Sequence, residues 1–444
     1  MTSPPVDLPS TPSDQRSAAE EGSSSGRSYL ALTLMGAAIG IPAALLAAAF
    51  FVLVRVVQDW LWNDLPSLLG FSAAPWFLIV GLPVIGALLV VFARASLPGD
   101  GGHSPLRGLD PSPTALAHAP GIVLAAIGSL SFGAVLGPEM PIIALGSVVG
   151  TAIGRIARVG PSATRVLAMA GSFSAISALF GGPLVAGTLL VEGGLAAGSR
   201  LLRILLPGLV AAAVGYTIFV GLGDWGGIAA GSLEIPDLPS YDGTTIPDLL
   251  AGLAVGLIAA MLVVGTRRSG AALERLGKNI PMAVLLPAGG LIIGLLAVIA
   301  GGLGVEPRDI LFSGQTSIPS LVTQSSAAVV LVMLAGKAIA HAVSLGAGFR
   351  GGPIFPAVFL GVAVSSLGVV ALGLSPTFAI ATGAAAGVAA QTRLLFSPLL
   401  FAALLVGPAG ADAMPAAVLA TVASWLTVAA IDWRIAGEPG PTEA

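Results

Sequence analysis

The sequence predicts an all-α integral membrane protein, and three observations carry that reading. Only 9% of the 444 residues are charged and 55% are hydrophobic, where a soluble protein carries about 25% charged residues. Uncharged stretches such as Tyr29–Val54 and Ala74–Ala93 reach the ~20 residues that a helix needs to span a bilayer. The 60 glycines and 33 prolines suit membrane helices that approach closely and are often interrupted. Soluble enzymes, secreted disulfide domains and nucleic-acid binders are excluded together. A net charge of −3 gives no reason to expect a polyanionic partner, and the absence of cysteine removes disulfides and thiolate metal sites.

Taken in order, residues 1–27 are rich in Ser and Pro and lack apolar periodicity, which predicts a disordered tail. The first apolar run begins near Tyr29 and is long enough to remain in the membrane, so it reads as an anchor and not a cleaved signal. Apolar spans follow at 29–56, 74–97, 115–136, 141–157, 162–180, 183–195, 201–222, 245–266, 281–304, 326–346, 353–372, 376–391, 396–408 and 412–431. Several are too short to cross a bilayer straight and predict broken or re-entrant helices. The membrane domain is expected over 28–435, with a short tail at 436–444. The connection 267–278 carries Arg267, Arg268, Arg275 and Lys278 against Glu274, which predicts the cytoplasmic side. The connection 223–248 carries Asp224, Glu234, Asp237, Asp242 and Asp248 without Lys or Arg, which suits the outer side and puts the N-terminus inside. Trp60, Trp62 and Trp76 stand where an interfacial belt would.

An internal repeat is the most informative feature. Gly137-Pro138-Glu139-Met140-Pro141 returns 215 residues later as Gly352-Pro353-Ile354-Phe355-Pro356. At the same offset Leu145-Gly146 meets Leu360-Gly361, Pro161 meets Pro376, Pro183-Leu184 meets Pro398-Leu399, Val191 meets Val406 and Gly99 meets Gly314. Two repeats are expected, at about 29–222 and 245–431. Each Gly-Pro-x-x-Pro unit opens a short apolar helix, and Pro suits a first turn whose amides have no intrahelical partner. If both helices start at mid-membrane, their free N–H groups and positive dipole ends converge on one point. Such a point binds an anion without a fixed cation, and partial charges hold it weakly enough for release.

Among single residues, Glu139 lies inside the first unit, between runs free of charge. A carboxylate there can fill an anion site when ionised and leave it when protonated, so it is the candidate gate. Gly102, His103 and Ser104, in the turn Gly99–Pro105, are candidate anion contacts through backbone amides and the serine hydroxyl. Glu192 closes the apolar run Pro183–Val191 and is a candidate inner proton acceptor, or a helix-end carboxylate facing water. Lys337 is expected either to draw anions toward the inner mouth or to snorkel, and Arg393 carries the same two readings. Arg155, Arg158, Arg165, Arg200 and Arg203 read as headgroup anchors or loop charges. With His103, His118 and His341 as the three histidines, no metal-ligand spacing occurs. Ser104 and His103 as nucleophile and base lack a third orienting group, so an intramembrane enzyme is set aside.

At these residues the chain resembles the CLC family of chloride channels and chloride/proton antiporters, across about 30–435. The family brings three loops to a central anion site. Gly137-Pro138-Glu139-Met140-Pro141 is similar to the second of them, with Glu139 at the gating position. Gly352-Pro353-Ile354-Phe355-Pro356 resembles the third, and Gly101-Gly102-His103-Ser104-Pro105 is a loose match to the first. The resemblance implies two repeats of inverted topology, a homodimer with one pathway per subunit in the plasma membrane, and no cofactor. It also implies anion contacts from Gly137, Pro138, Met140, Gly352, Ile354 and Phe355. Departures accompany it. A strict register puts Gly102 where the family has its anion-coordinating Ser, and Phe355 stands one place late. The region of Asp412 lacks the family's central Tyr, and Gly193 occupies the internal-glutamate position one step after Glu192. The expected function is transport of chloride or a similar small anion, as an anion/proton antiporter gated by Glu139. A passive chloride channel and a fluoride-preferring exchanger remain the alternatives.

Overall fold

The computed structural model describes residues 12–108, 112–194, 201–226 and 233–436. Its helices of more than ten residues form two sets of seven. The first set is α1 (Pro12–Asp59), α2 (Trp76–Ser96), α3 (Ala119–Leu130), α4 (Glu139–Ile156), α5 (Pro161–Leu179), α6 (Pro183–Gly194) and α7 (Leu201–Gly226). The second is α8 (Ile246–Leu276), α9 (Met282–Gly302), α10 (Ala327–Ala347), α11 (Ile354–Leu372), α12 (Pro376–Thr392), α13 (Phe396–Val406) and α14 (Met414–Ala436). Among the described residues, nine segments are long and apolar enough to cross a membrane. Short α3, α6 and α13 are the broken helices that the spans predict. Proline starts both α5 and its partner α12 at the 215-residue offset, and it starts α6, whose counterpart Pro398 stands third in α13.

The packing of one set repeats in the other. Helix α1 lies against α4, α5 and α7, as α8 lies against α11, α12 and α14, while α2 meets α9 and α6 meets α13 across the join. In α4–α5 the backbones touch at Gly146 and Gly171, and in α11–α12 at Gly361 and Gly383. A Cβ on Gly146 or Gly361 would strike the opposing carbonyl. Small residues permit this approach, and dispersion between the backbones then holds helices together where no hydrophobic force acts.

The join has two-fold geometry. Gly137 donates its N–H to the Gly352 carbonyl at 2.6 Å, and Gly352 donates back to the Gly137 carbonyl at 2.5 Å. This is a one-residue antiparallel bridge between equivalent positions. On either side of it, Val135 N–H donates to Ser344 Oγ at 2.9 Å and Arg350 N–H donates to Ser129 Oγ at 3.0 Å. Each serine donates one turn back, Ser129 to the Ala125 carbonyl and Ser344 to the Ala340 carbonyl. Gly99 and Gly314, also equivalent, both take positive φ, at 90° and 86°. Every one of these pairs obeys the 215-residue offset, which places a local two-fold axis between Gly137 and Gly352.

Several expectations change. From Pro12 the backbone is helical and continuous with the first span, where the sequence predicts a disordered tail to residue 27. Extending a helix that is already nucleated costs far less than starting one. Helix α8 runs on to Leu276, so Arg267, Arg268 and Arg275 stand on its last turns and not in a connection. Trp60 and Trp76 are exposed as a belt requires, but Trp62 is 2% exposed. Its indole N–H donates to the Ser131 carbonyl at 3.0 Å and its ring packs edge-on to Phe312. The side chains of Arg200, Arg203 and Asp224 lie outside the described residues.

Candidate functional site

The residue at the centre of the join is Glu139. It opens α4, follows Gly137-Pro138, and is fully buried. Its carboxylate crosses the two-fold axis to the start of α11, where Oε1 accepts the Phe355 N–H at 2.8 Å. The other oxygen, Oε2, is buried without a hydrogen bond. The carboxylate presses on both bridging glycines, since a Cβ on Gly137 or on Gly352 would overlap it. A negative group at the positive end of a 19-residue helix is electrostatically favoured. Oε2 keeps an unmet demand for a proton or a donor, which a buried group satisfies only at cost.

Two cavities reach this junction. One, of about 380 Å³, is lined by Arg55, Gln58, Glu234, Phe312, Ser313, Gln315 and Thr316 and reaches Pro138. The other, of about 610 Å³, is lined by Gly108, Ser172, Gly193, Gln391 and Thr392 and reaches Pro353 and Ile354. Arg55 lies near the C-terminal end of α1, whereas Gly108 lies beyond the C-terminal end of the next span, α2. The cavities therefore open toward opposite ends of the bundle, and Glu139 stands between them. Phe355 packs against Phe180 and Phe401 at 5.8 Å in each case, forming an aromatic wall behind the α11 start.

The structure thus brings together Gly137, Pro138, Glu139, Gly352, Ile354 and Phe355, and Met140 is buried beside them. The first-loop residues stand apart. Gly102 closes its turn onto the Gly99 carbonyl and faces Ile122 of α3, and Ser104 accepts from Arg107 N–H. Gly102, His103 and Ser104 are half-buried, and none of them lines the Gly193 cavity. In that turn it is Asp100 that works across the repeats. Its carboxylate takes the Arg94 Nε–H at 2.8 Å and pairs with Arg350, whose Nε–H also donates to the Asp100 carbonyl at 3.0 Å. The turn is fastened in this way two residues before Gly352.

Glu192 has a different place from the one expected. Its Oε1 accepts the amides of Leu395 and Phe396 at 2.7 and 2.8 Å, and Oε2 accepts the amide and hydroxyl of Ser397 at 2.7 and 2.6 Å. It caps the N-terminus of α13. Gly193, beside it, lines the second cavity. Lys337 neither snorkels nor faces the inner mouth. It is fully buried, and its ammonium donates to the carbonyls of Leu311 and Phe312. Arg393 pairs with Asp432, which also holds Arg268 at 3.1 Å. Arg155, Arg158 and Arg165 are exposed near helix ends. Asp412, in the region without the family's Tyr, accepts the Gly243 N–H at 3.2 Å and ties the segment before α8. Ser129, Ser344, Asp100 and His341, whose Nδ1 meets the Val135 carbonyl at 2.7 Å, were missed. The pairing of Ser129 with Ser344 at the repeat offset was a usable signal for two of them. Among the described residues no group of three His, Asp or Glu side chains gathers to hold a metal.

The family model described as "Voltage gated chloride channel" matches residues 106–428. The chain belongs to the CLC family. The protein is therefore a multi-pass membrane protein of CLC-type anion transport and not an enzyme. Its similarity to curated relatives agrees. It is 33% identical over 354 residues to the putative ion-transport protein YfeO of Escherichia fergusonii, covering 76% of this chain and 79% of that protein. The same identity and coverage hold for YfeO of Shigella boydii serotype 4. The CLC fold is also evident in solved structures. A slow cyanobacterial Cl⁻/H⁺ antiporter superposes with TM-score 0.73 at 16% identity, covering 92% of this chain and 98% of that one. A CLC-type fluoride/proton antiporter superposes with TM-score 0.70 at 22% identity, covering 89% and 95%.

Proposed function

We propose that this CLC protein exchanges a small monovalent anion, chloride first among them, for protons, with Glu139 as the moving gate. The observation that carries the reading is a fully buried carboxylate at a helix N-terminus, between two cavities, with one oxygen left unbonded. When ionised, Glu139 takes the Phe355 amide that an anion would take. Protonation removes the charge that favours this position, weakens the charge-assisted bond and frees the α11 start for the anion. Anion and carboxylate then compete for one set of donors, so proton uptake and anion entry are linked. That two of the superposing structures are proton-coupled antiporters supports the same reading.

Two features favour a second anion. The serine of the first loop is displaced from the cavity lining, and one superposing structure is a fluoride/proton antiporter. A fluoride-preferring exchanger is therefore the second reading. The proposal includes a homodimer in the plasma membrane with a cytoplasmic N-terminus. The cations Arg267, Arg268, Arg275 and Lys278 at one end of α8 support that orientation. In this orientation the Arg55 cavity faces outward.

The test is flux from liposomes loaded in turn with Cl⁻, NO₃⁻ and F⁻ while external pH is recorded. Exchange requires an anion gradient to drive protons uphill. Anion flux without proton movement would make the protein a passive channel.

Glu192 is a candidate proton acceptor by position, but its four bonds make it a cap first. Glu192→Ala is expected to cost roughly 1 kcal/mol or more by leaving the α13 amides without an acceptor. Anion and proton fluxes measured on the same liposomes should then fall in parallel. A selective loss of proton flux would return Glu192 to the proton path.

A further inference from the structure

Helix α10 carries Lys337, His341 and Ser344 at helical spacing on one face. His341 and Ser344 hold Val135, four residues ahead of Glu139. Lys337 holds the other side of the pathway. It is fully buried, and its Nζ donates to the Leu311 carbonyl at 2.7 Å and the Phe312 carbonyl at 3.4 Å. It also sits 4.8 Å over the ring of Phe359. Phe312 and the residues after it, Ser313, Gln315 and Thr316, line the Arg55 cavity. The ammonium therefore stands one residue layer behind that cavity's wall.

Two features make this lysine more than a brace. No carboxylate forms a contact ion pair with it among the described residues; Asp309 acts on it only through space and accepts from the Ser320 hydroxyl at 3.3 Å. A buried ammonium costs several kcal/mol, and two carbonyls and an aromatic face offset only part of that. In addition, the two-fold repeat places Ile122 at the equivalent position, where an apolar side chain packs against the first-loop turn. The fold itself does not call for a cation here, and the charge is present on one side of the pathway only.

We propose that Lys337 is an electrostatic positioning residue, whose positive charge raises the affinity for a small monovalent anion entering through the Arg55 cavity and not through the opposite one. With no carboxylate in contact, the ammonium is left to act on the transported anion. The inference rests on anion transport by this chain, so the unmutated protein is measured first.

The experiment titrates Cl⁻, with F⁻ in parallel, at one face at a time in oriented vesicles. Lys337→Gln keeps a donor for the two carbonyls but loses the charge, Lys337→Met keeps neither, and Lys337→Arg keeps the charge. At an effective dielectric of ~20, a unit charge about 10 Å away changes affinity on the order of tenfold. Lys337→Gln is therefore expected to raise KM at the Arg55 face about tenfold by that same charge term. KM at the other face and the maximal rate should stay as they are, and Lys337→Arg should restore the first value. Agreement between the Gln and Met variants would assign the effect to charge, not to the hydrogen bonds. An unchanged KM, an equal rise at both faces, or a loss of maximal rate alone in the well-folded Gln variant would overturn the proposal. A rise in the Arg variant equal to that of Gln would do the same. If the unmutated protein carried neither anion, the transport reading would fail before this one was reached.

Discussion

Glu139→Gln is expected to abolish proton movement and to leave anion flux independent of pH. The physical reason is the position of the carboxylate. It occupies the Phe355 amide at the start of α11, fully buried, and only its charge favours it there over an anion. Acid should raise anion flux in the unmutated protein, because protonation removes that charge. Glutamine carries no charge at any pH, so its flux should match the acid limit of the unmutated protein throughout. Proton movement should fall to the background of protein-free vesicles, since no titratable group then competes with the anion. The measurement is paired anion and proton flux across a pH series. A pH dependence that survives in the glutamine variant would remove Glu139 from the mechanism.

Gly352→Val should stop anion flux nearly completely, and Gly137→Val should do so to a similar degree. Both glycines bridge the repeats through a reciprocal pair of hydrogen bonds, and both touch the Glu139 carboxylate. A Cβ on Gly352 would lie 2.5 Å from Glu139 Cδ and 3.0 Å from its Cβ, closer than any packed core tolerates. The gate would have to leave its place, or the bridge would open. Gly81→Val in α2 is the control, because a Cβ there meets nothing within 4 Å. All three proteins would be compared by liposome flux after size-exclusion chromatography. Normal flux through well-folded Gly352→Val would show that the backbone at this bridge does not border the ion path.

The individual elements were legible because each is written locally. Uncharged runs of bilayer length gave the long helices, and the paired prolines Pro161 and Pro376 gave the starts of α5 and α12 at the right offset. The two Gly-Pro-x-x-Pro units led to the junction, because a proline-opened helix leaves amides that need a partner. Less local features misled. The arginines at the end of α8 looked like a loop, since charge marks the edge of the membrane but not the end of a helix. Trp62 looked interfacial, although its indole finds a buried carbonyl 69 residues away.

By itself the sequence determined an all-α membrane chain, a two-fold repeat and one carboxylate at its most apolar motif, because composition and periodicity are properties of the chain alone. The tertiary structure decided what each charged group answers to. Glu139 meets an amide in the other repeat, Glu192 caps α13, Asp100 ties Arg94 to Arg350, and Lys337 turns to two backbone carbonyls. Each of these partners, apart from Arg94, is at least 25 residues distant along the chain. A charge withdrawn wholly or partly from water takes whichever dipole or counter-charge the fold brings near, and sequence spacing does not reveal which one that is.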